Sequence, residues 1–280
     1  MNIQFGFSVA SSPLMIRAAH IHVFCALFFF SLEKGSAQSP APNSDKTMTI
    51  EIWSDVMCPF CYIGKRHFEN ALAQFEHRDQ VNIVWKSFQL DPTMTYVPGK
   101  SMDQMLAEKK GWTLEYAKEM NAYVVDMAAK SGLKYNMDIA VPANSFDAHR
   151  FTHFAKSKGK QDEAEEALFN AYFCQGKNVS DVAVLAELGV SIGLDGQEIL
   201  AMLKTDQFKA EVEQDLYEAQ QVGARGVPFF VLERKYAISG AQPVDTFVSA
   251  LNQMWSEQQP AVKDANGAVC SPDGTCAPTK

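Results

Sequence analysis

Two cysteines set one helical turn apart, in Cys58-Pro59-Phe60-Cys61, are the residues of this 280-residue chain whose types and spacing most directly imply chemistry. At a helix start, the sulfur of Cys58 lies beside unpaired backbone N–H groups and the positive end of the helix dipole, which favours its thiolate. Cys58 is therefore the expected nucleophile. Cys61, one turn further on, is the expected resolving cysteine, close enough to attack a mixed disulfide at Cys58 and release what is bound there. Pro59 suits an early helical position, where its missing N–H costs nothing and its fixed φ pre-forms the turn. Pro59 and Phe60, lying between the sulfurs, are expected to tune the thiolate. Zinc sites use the same cysteine spacing but want a second close pair, and Cys270 and Cys276 are spaced more widely than usual. A strand before and a helix after suit redox chemistry better than a zinc knuckle.

A second candidate lies far downstream, at Gly226-Val227-Pro228-Phe229-Phe230. A proline that opens a strand marks an edge, a bulge or a cis bond. Beside a Cys-x-x-Cys it suggests a cis-proline loop facing the cysteines, with backbone left free to pair with an extended substrate peptide at Val227. An ordinary strand-initiating proline is the plainer alternative.

The elements that must position these groups are legible around them. Thr49-Ile50-Glu51-Ile52-Trp53 alternates and is β-branched and aromatic, so it reads as a strand running straight into the motif. Ile63, Phe68, Leu72 and Phe75 recur at helical spacing and predict a helix from the motif to about Glu76. Val81, Ile83 and Trp85 predict a second strand, closing a β-α-β unit. From 99 to 222 strand signals fade and amphipathic helical patterns follow one another, as in 114–129, 146–155, 164–173 and 208–221, punctuated by Gly132, Pro142, Gly159, Gly176 and Gly193. Strands return at 227–232 and 236–240, and a last helix is expected over 244–255. The predicted architecture is α/β: a thioredoxin fold split into halves at 48–98 and 223–256 by an all-helical insertion at 99–222, with a flexible tail at 257–280.

Residues 1–47 read differently. The apolar stretch Val23 to Phe30 follows Arg17 and precedes Gly35-Ser36-Ala37, as in a secretory signal, and is too short to span a bilayer. Glu33 and Lys34 weigh against export, and Met48 offers an alternative start just before the first strand. The expectation is a cytoplasmic protein; export to the periplasm through residues 1–37 is the alternative. A formal charge of −8 with no Lys/Arg-rich stripe argues against nucleic acid as a partner, and no membrane span is expected in the mature chain.

Trp53-Ser54-Asp55, Cys58 through Lys65, Phe88-Gln89-Leu90-Asp91-Pro92, Asn144 through Arg150 and Gly226 through Phe230 together resemble the DsbA-like thioredoxin family, in its FrnE-type branch. The resemblance covers about Thr49 to Trp255. It implies dithiol–disulfide exchange with cysteine-containing protein substrates, Cys58 and Cys61 as the catalytic pair and Pro228 in cis. Disulfide isomerase activity is a further expectation, with glutathione or a thioredoxin-like protein as redox partner and no bound cofactor or metal. Some members carry a further cysteine pair near the C-terminus, which Cys270 and Cys276 resemble; such a pair could exchange with the first, or be a closed loop or two free thiols.

Other residues have plainer readings. Cys174 on an apolar helical pattern reads as a buried small hydrophobe. His67 reads as a surface residue with an option to tune the thiolate. His149 and Arg150 lie, by the resemblance, near substrate in related isomerases, against helix packing as the alternative; Asn144, Ser145 or Asp147 could cap the helix that follows. Trp112, Met120, Tyr123 and Met127 are spaced like a helix face, more often core than a binding groove, with lining of the cleft between lobes as the alternative for some of them. Competing functions are a glutathione-dependent isomerase or transferase of the 2-hydroxychromene-2-carboxylate isomerase and kappa type, which generally uses a lone Ser or Cys, and a chaperone-like peptide-binding module.

Overall fold

The computed structural model describes residues 47–258, together with the backbone of three two-residue strands beyond them. Strand β1 (Met48–Ser54) is central: it pairs in parallel with β2 (Val81–Ser87), Ile50 opposite Ile83, and antiparallel with β3 (Phe229–Leu232), Ile52 opposite Phe230. Antiparallel β4 (Tyr236–Ser239) completes the order β2-β1-β3-β4. A strand flanked on both edges buries apolar side chains on each face that is covered. Met48, Ile50 and Ile52 accordingly pack with Phe68 and Ala71 of helix α1 (Pro59–Gln74) and with Phe247 and Leu251 of helix α9 (Val244–Glu257). On the other face Trp53, Phe229 and Val231 pack against Ala219 of helix α8 (Lys209–Gln221).

Between β2 and β3 the chain is helical: α2 (Met102–Lys110), α3 (Leu114–Lys130), α4 (Phe146–Ser157), α5 (Gln161–Phe169), α6 (Val182–Ser191), α7 (Gly196–Leu203) and α8. Their caps are written in the sequence. Ser101 and Gln104 form a reciprocal capping box on α2, and Thr113, Asp181 and Asp195 cap α3, α6 and α7. The helical core runs without a break into the motif, since Cys61, Tyr62 and Ile63 share one apolar cluster with Phe151, Leu168, Leu185 and Ile199.

Boundaries differ from the sequence expectation for local reasons. Helix α1 stops at Gln74 because Phe75 turns extended, its N–H closing on the Leu72 carbonyl, which delivers its ring to Trp255. Strand β3 begins at Phe229 rather than Val227, because Pro228 has no N–H to give a ladder. The helix expected over 164–173 starts earlier, at Gln161, and its end is a π-helical turn at Asn170–Cys174. In the tail, strands β5 (Val262–Lys263), β6 (Val269–Cys270) and β7 (Cys276–Ala277) form an antiparallel ladder that sets the backbone of Cys270 opposite Cys276. The side chains of that pair, and residues 1–46 with the signal-like stretch and Cys25, lie outside the described residues.

Candidate active site

The end of β1 fixes the approach to the motif. The buried Asp55 carboxylate accepts the N–H groups of Met57 at 3.1 Å and Leu90 at 2.7 Å, while its carbonyl accepts the Cys58 N–H at 2.9 Å. One aspartate thus turns the chain from strand to helix and ties that turn to the segment after β2. Cys58 is the N-cap of α1, in an extended conformation with no side-chain cap bond, and Pro59 follows at the first helical position. The expected placement at a helix start is what the structure has.

The two cysteines are free thiols and both are buried. Burial pushes the Cys61 thiol well up, and Cys58 beside it, as hydrogen-bond partner and as charge, pushes it further. The Cys61 thiol therefore keeps its proton. The Cys58 Sγ lies 3.3 Å from the carbonyl oxygen of Val227, and the Val227–Pro228 peptide bond is cis, so the loop and the motif meet although 169 positions separate them. The Pro228 carbonyl is already used, accepting the Gly240 N–H at 2.8 Å. Gly64, two turns into α1, admits this loop: a Cβ there would stand 2.9 Å from Cγ of the Pro228 ring.

Pro59 and Phe60 meet the helical insertion. The Tyr135 hydroxyl donates to the Pro59 carbonyl at 2.7 Å, and the rings of Tyr62, Tyr135, Phe169 and Phe173 stack in series with centroids 4.6–6.0 Å apart. Burial raises the Tyr135 phenol, and the negative charge of either thiolate would raise it further. The π-helical turn contributes Phe173 to that stack and Tyr172 to the floor beneath it. Sequence reasoning had no means of finding Tyr135, which sits in a loop with no motif around it.

A buried polar cluster stands behind the strand end. His149 Nε2 is 3.6 Å from Asp55 Oδ1, both groups are 1 % exposed, and among the described residues neither ring nitrogen of His149 has a hydrogen-bond partner. Burial works against the imidazolium, but the facing Asp55 outweighs it and the histidine is raised. Burial also lifts Glu165 to about 7, against the pull of His149. Arg150, by contrast, is structural: its guanidinium donates to the carbonyls of Gln207, Met202 and Thr205, clamping α4 to the end of α7. Asn144 caps α4 by accepting the Phe146 N–H at 2.9 Å and donates to the Pro92 and Met94 carbonyls, so two of the sequence segments singled out earlier are joined through it.

Further residues depart from their plainest readings. His67 is not a free surface group: its ring bridges Ser131 Oγ at 2.9 Å and the Gln242 carbonyl at 2.8 Å, tying α1 to the end of α3 and to the start of α9. Cys174 is half-buried rather than fully enclosed. Lys65 is only 2 % exposed and is held by Glu69, Asp162 and Glu166. Trp112, Met120 and Tyr123 line a cavity beside the motif instead of a closed core. Among the described residues no cluster of three or more His, Cys, Asp or Glu side chains could hold a metal, and no helix is long and apolar enough to cross a membrane.

Comparison with known proteins agrees with this fold. A crystal structure of a probable DsbA oxidoreductase from Streptomyces coelicolor is 41% identical, covers 83% of this chain and 100% of its own, and superposes with a TM-score of 0.71. Protein YwbO of Bacillus subtilis (strain 168) is 29% identical over 208 residues, 74% of this chain and 96% of its own. The cytosolic disulfide reductase DsbM from Pseudomonas aeruginosa, solved with glutathione, shares the fold at 16% identity, covering 74% of this chain and 98% of its own with a TM-score of 0.54. The sequence model of the DSBA-like thioredoxin domain matches residues 49–252, nearly three-quarters of the chain, and with the fold to go with it the protein belongs to the DsbA-like thioredoxin family.

Proposed function

We propose that this chain is a thiol–disulfide oxidoreductase that exchanges disulfides with cysteine-containing proteins through Cys58 and Cys61. The observation that carries this reading is the meeting of the motif with the cis-proline loop, Cys58 Sγ lying 3.3 Å from the Val227 carbonyl. In the reducing direction the Cys58 thiolate attacks one sulfur of a substrate disulfide; a Cys58–substrate bond forms, the substrate bond breaks, and the departing thiolate takes a proton. Cys61 then loses its proton and attacks Cys58 Sγ, giving the Cys58–Cys61 disulfide and a second substrate thiol. Two electrons pass to the substrate, and glutathione or a thioredoxin-like protein restores the dithiol. The reverse sequence oxidises or, with both directions combined, isomerises substrate disulfides.

The buried Cys61 suits the resolving role, because a thiol that holds its proton does not compete for the first attack. Val227 supplies the backbone beside which an extended peptide would lie. Cys270 and Cys276 are proposed as an auxiliary pair on the strength of their facing backbone register. The proposed compartment is the cytoplasm. Replacing Cys61 by Ala tests the reading: substrates should accumulate as mixed disulfides on Cys58, visible on non-reducing gels and released by dithiothreitol. A Cys61→Ala protein that traps nothing from a mixture of disulfide-bonded proteins contradicts it.

A further inference from the structure

Tyr135 comes to the motif from outside it, from the loop between α3 and α4, and donates its hydroxyl to the Pro59 carbonyl at 2.7 Å. Its ring is buried, stacked against Phe173 at 4.6 Å and Tyr62 at 6.0 Å. A buried tyrosine needs a partner for its hydroxyl, whereas phenylalanine would need none, and Phe169 and Phe173 already serve in that stack. The Pro59 carbonyl has no need of the bond either, because as the first residue of α1 it lies within reach of the N–H four positions on. The bond is surplus to packing and to backbone satisfaction alike. The other end of the same peptide group is the Phe60 N–H. It is the first N–H of α1, since Pro59 has none, and among the described residues it has no partner. Cys58 is the N-cap, and an acceptor at that position takes the N–H of the second or third helical residue. The Cys61 N–H, at the third position, is spent on the Cys58 carbonyl at 3.0 Å, which leaves Phe60.

We infer that Tyr135 is a positioning residue for the Cys58 thiolate: its hydroxyl polarises the Pro59–Phe60 peptide and so strengthens the Phe60 N–H as the donor to which that thiolate turns. The inference rests on the exchange reading above. As a thiol, Cys58 makes no cap bond and directs its proton at the Val227 carbonyl, 3.3 Å away. A thiolate has no proton to offer there and is repelled by that oxygen, so it swings about its Cα–Cβ bond to the free N–H. Hydrogen bonds in series through one amide strengthen each other by about 10–30 %. Tyr135 donates into that amide in a buried place, and burial first, then the charges of Cys58 and Cys61, keep the proton on its phenol. Only the reduced form carries a charge for this chain of bonds to stabilise, because a disulfide at Cys58 is neutral. Tyr135 therefore makes the couple more oxidising, and the helical insertion, which supplies this residue, sets part of the potential.

The test is Tyr135→Phe, which keeps the ring and its stack and removes only the hydroxyl. Its equilibrium with a glutathione redox buffer should shift about threefold towards the disulfide, the size of a partial loss of one charge-assisted bond. That is a potential about 15 mV more negative, at about 30 mV per tenfold. The ultraviolet absorbance of the Cys58 thiolate, taken as the difference from a Cys58→Ser protein, should appear at correspondingly higher pH. Tyr62→Phe is the control: it removes a hydroxyl from the same stack, but one that donates to Glu166 at 2.6 Å and touches no motif carbonyl. It should move neither readout. A Tyr135→Phe protein with the potential and titration of the unmodified one, or a Tyr62→Phe protein shifted as far, overturns the inference and leaves disulfide exchange intact. A pair that does not equilibrate with glutathione at all refutes the exchange reading, and the thiolate titration then decides the effect of Tyr135 by itself.

Discussion

Gly64 and Pro228 touch across the active site, the space where a Cβ of residue 64 would go being filled to within 2.9 Å by the ring of the cis-proline. One residue without a side chain, on the helix that carries both cysteines, thus sets how near the loop can come to Cys58. The Cys58–Val227 contact at 3.3 Å depends on that approach.

Gly64→Ala is accordingly expected to push the Pro228 loop outward. Neither the proline ring nor the helix backbone is a flexible chain end that could move aside cheaply, so the stability cost is about 1–3 kcal/mol. Exchange with protein disulfides should fall more than exchange with small disulfides, because only the former use the loop. Urea unfolding and the two rates measure this; an alanine variant with wild-type stability and rates would contradict the packing.

The two cysteines should differ sharply towards alkylation. Burial and the neighbouring Cys58 hold the Cys61 thiol in its protonated form at neutral pH, and only thiolates react quickly. Iodoacetamide applied to the reduced protein at pH 7 should label Cys58 first and leave Cys61 until the protein is unfolded. Peptide mapping after brief exposure reads this directly, and preferential labelling of Cys61 would reverse the assigned roles.

Stability should decline as the solution is made more alkaline across neutrality. Glu165 is raised to about 7 by burial, with Asp162 and Asp55 adding to the rise and His149 and Lys65 opposing it. His149 is raised as well: burial opposes its charge, but Asp55 and Glu165 overcome that. A group whose folded pKa exceeds its unfolded value stabilises the fold below the unfolded value and loses that contribution as pH climbs through the folded one. For Glu165 the window runs from about pH 4.5 to about 7, and for His149 it opens near pH 6.5 and extends upward. Urea midpoints should therefore drop between pH 5 and pH 8, and Glu165→Gln should flatten the lower part of the fall. A midpoint that rises over this range would be inconsistent with the buried cluster.

Lys65→Met removes the buried cation among Glu69, Asp162 and Glu166, leaving Arg66 to pair with Glu69 and Glu166 and the Trp85 indole to hold Asp162. Because those carboxylates are partly exposed, the expected loss is about 1–3 kcal/mol rather than the larger penalty of a fully enclosed pair. Added salt should recover part of it, which a salt series of unfolding curves would show.

The half of the site built on local pattern was legible in the sequence. Alternation in β1, helical spacing from Ile63 to Phe75 and the proline of the motif together place Cys58 at a helix start, and there it stands. Pro228 was legible only through family likeness, since a lone proline before a strand has several readings. What stayed hidden depends on tertiary contact: Tyr135 reaches the Pro59 carbonyl from a loop, and Glu165 looks in sequence like one acidic residue of a solvated helix start. Its burial arises because α5 packs on α4, which brings that face against His149. Whether the helix face with Trp112, Met120 and Tyr123 is core or cleft stayed open for a similar reason, because periodicity shows which residues share a face and not whether the facing wall is filled.

The central claim, that Cys58 and Cys61 are one redox couple, is tested most directly by equilibrating the protein against glutathione buffers and counting alkylated thiols by mass spectrometry, with Cys270 and Cys276 intact and replaced by Ser. Cys58 and Cys61 are expected to lose their thiols together, as an intramolecular disulfide, at a single potential between the about −120 mV of strong disulfide oxidants and the about −270 mV of thioredoxin. A pair that stays reduced across that range, or in which each cysteine instead forms its own glutathione adduct, would contradict it.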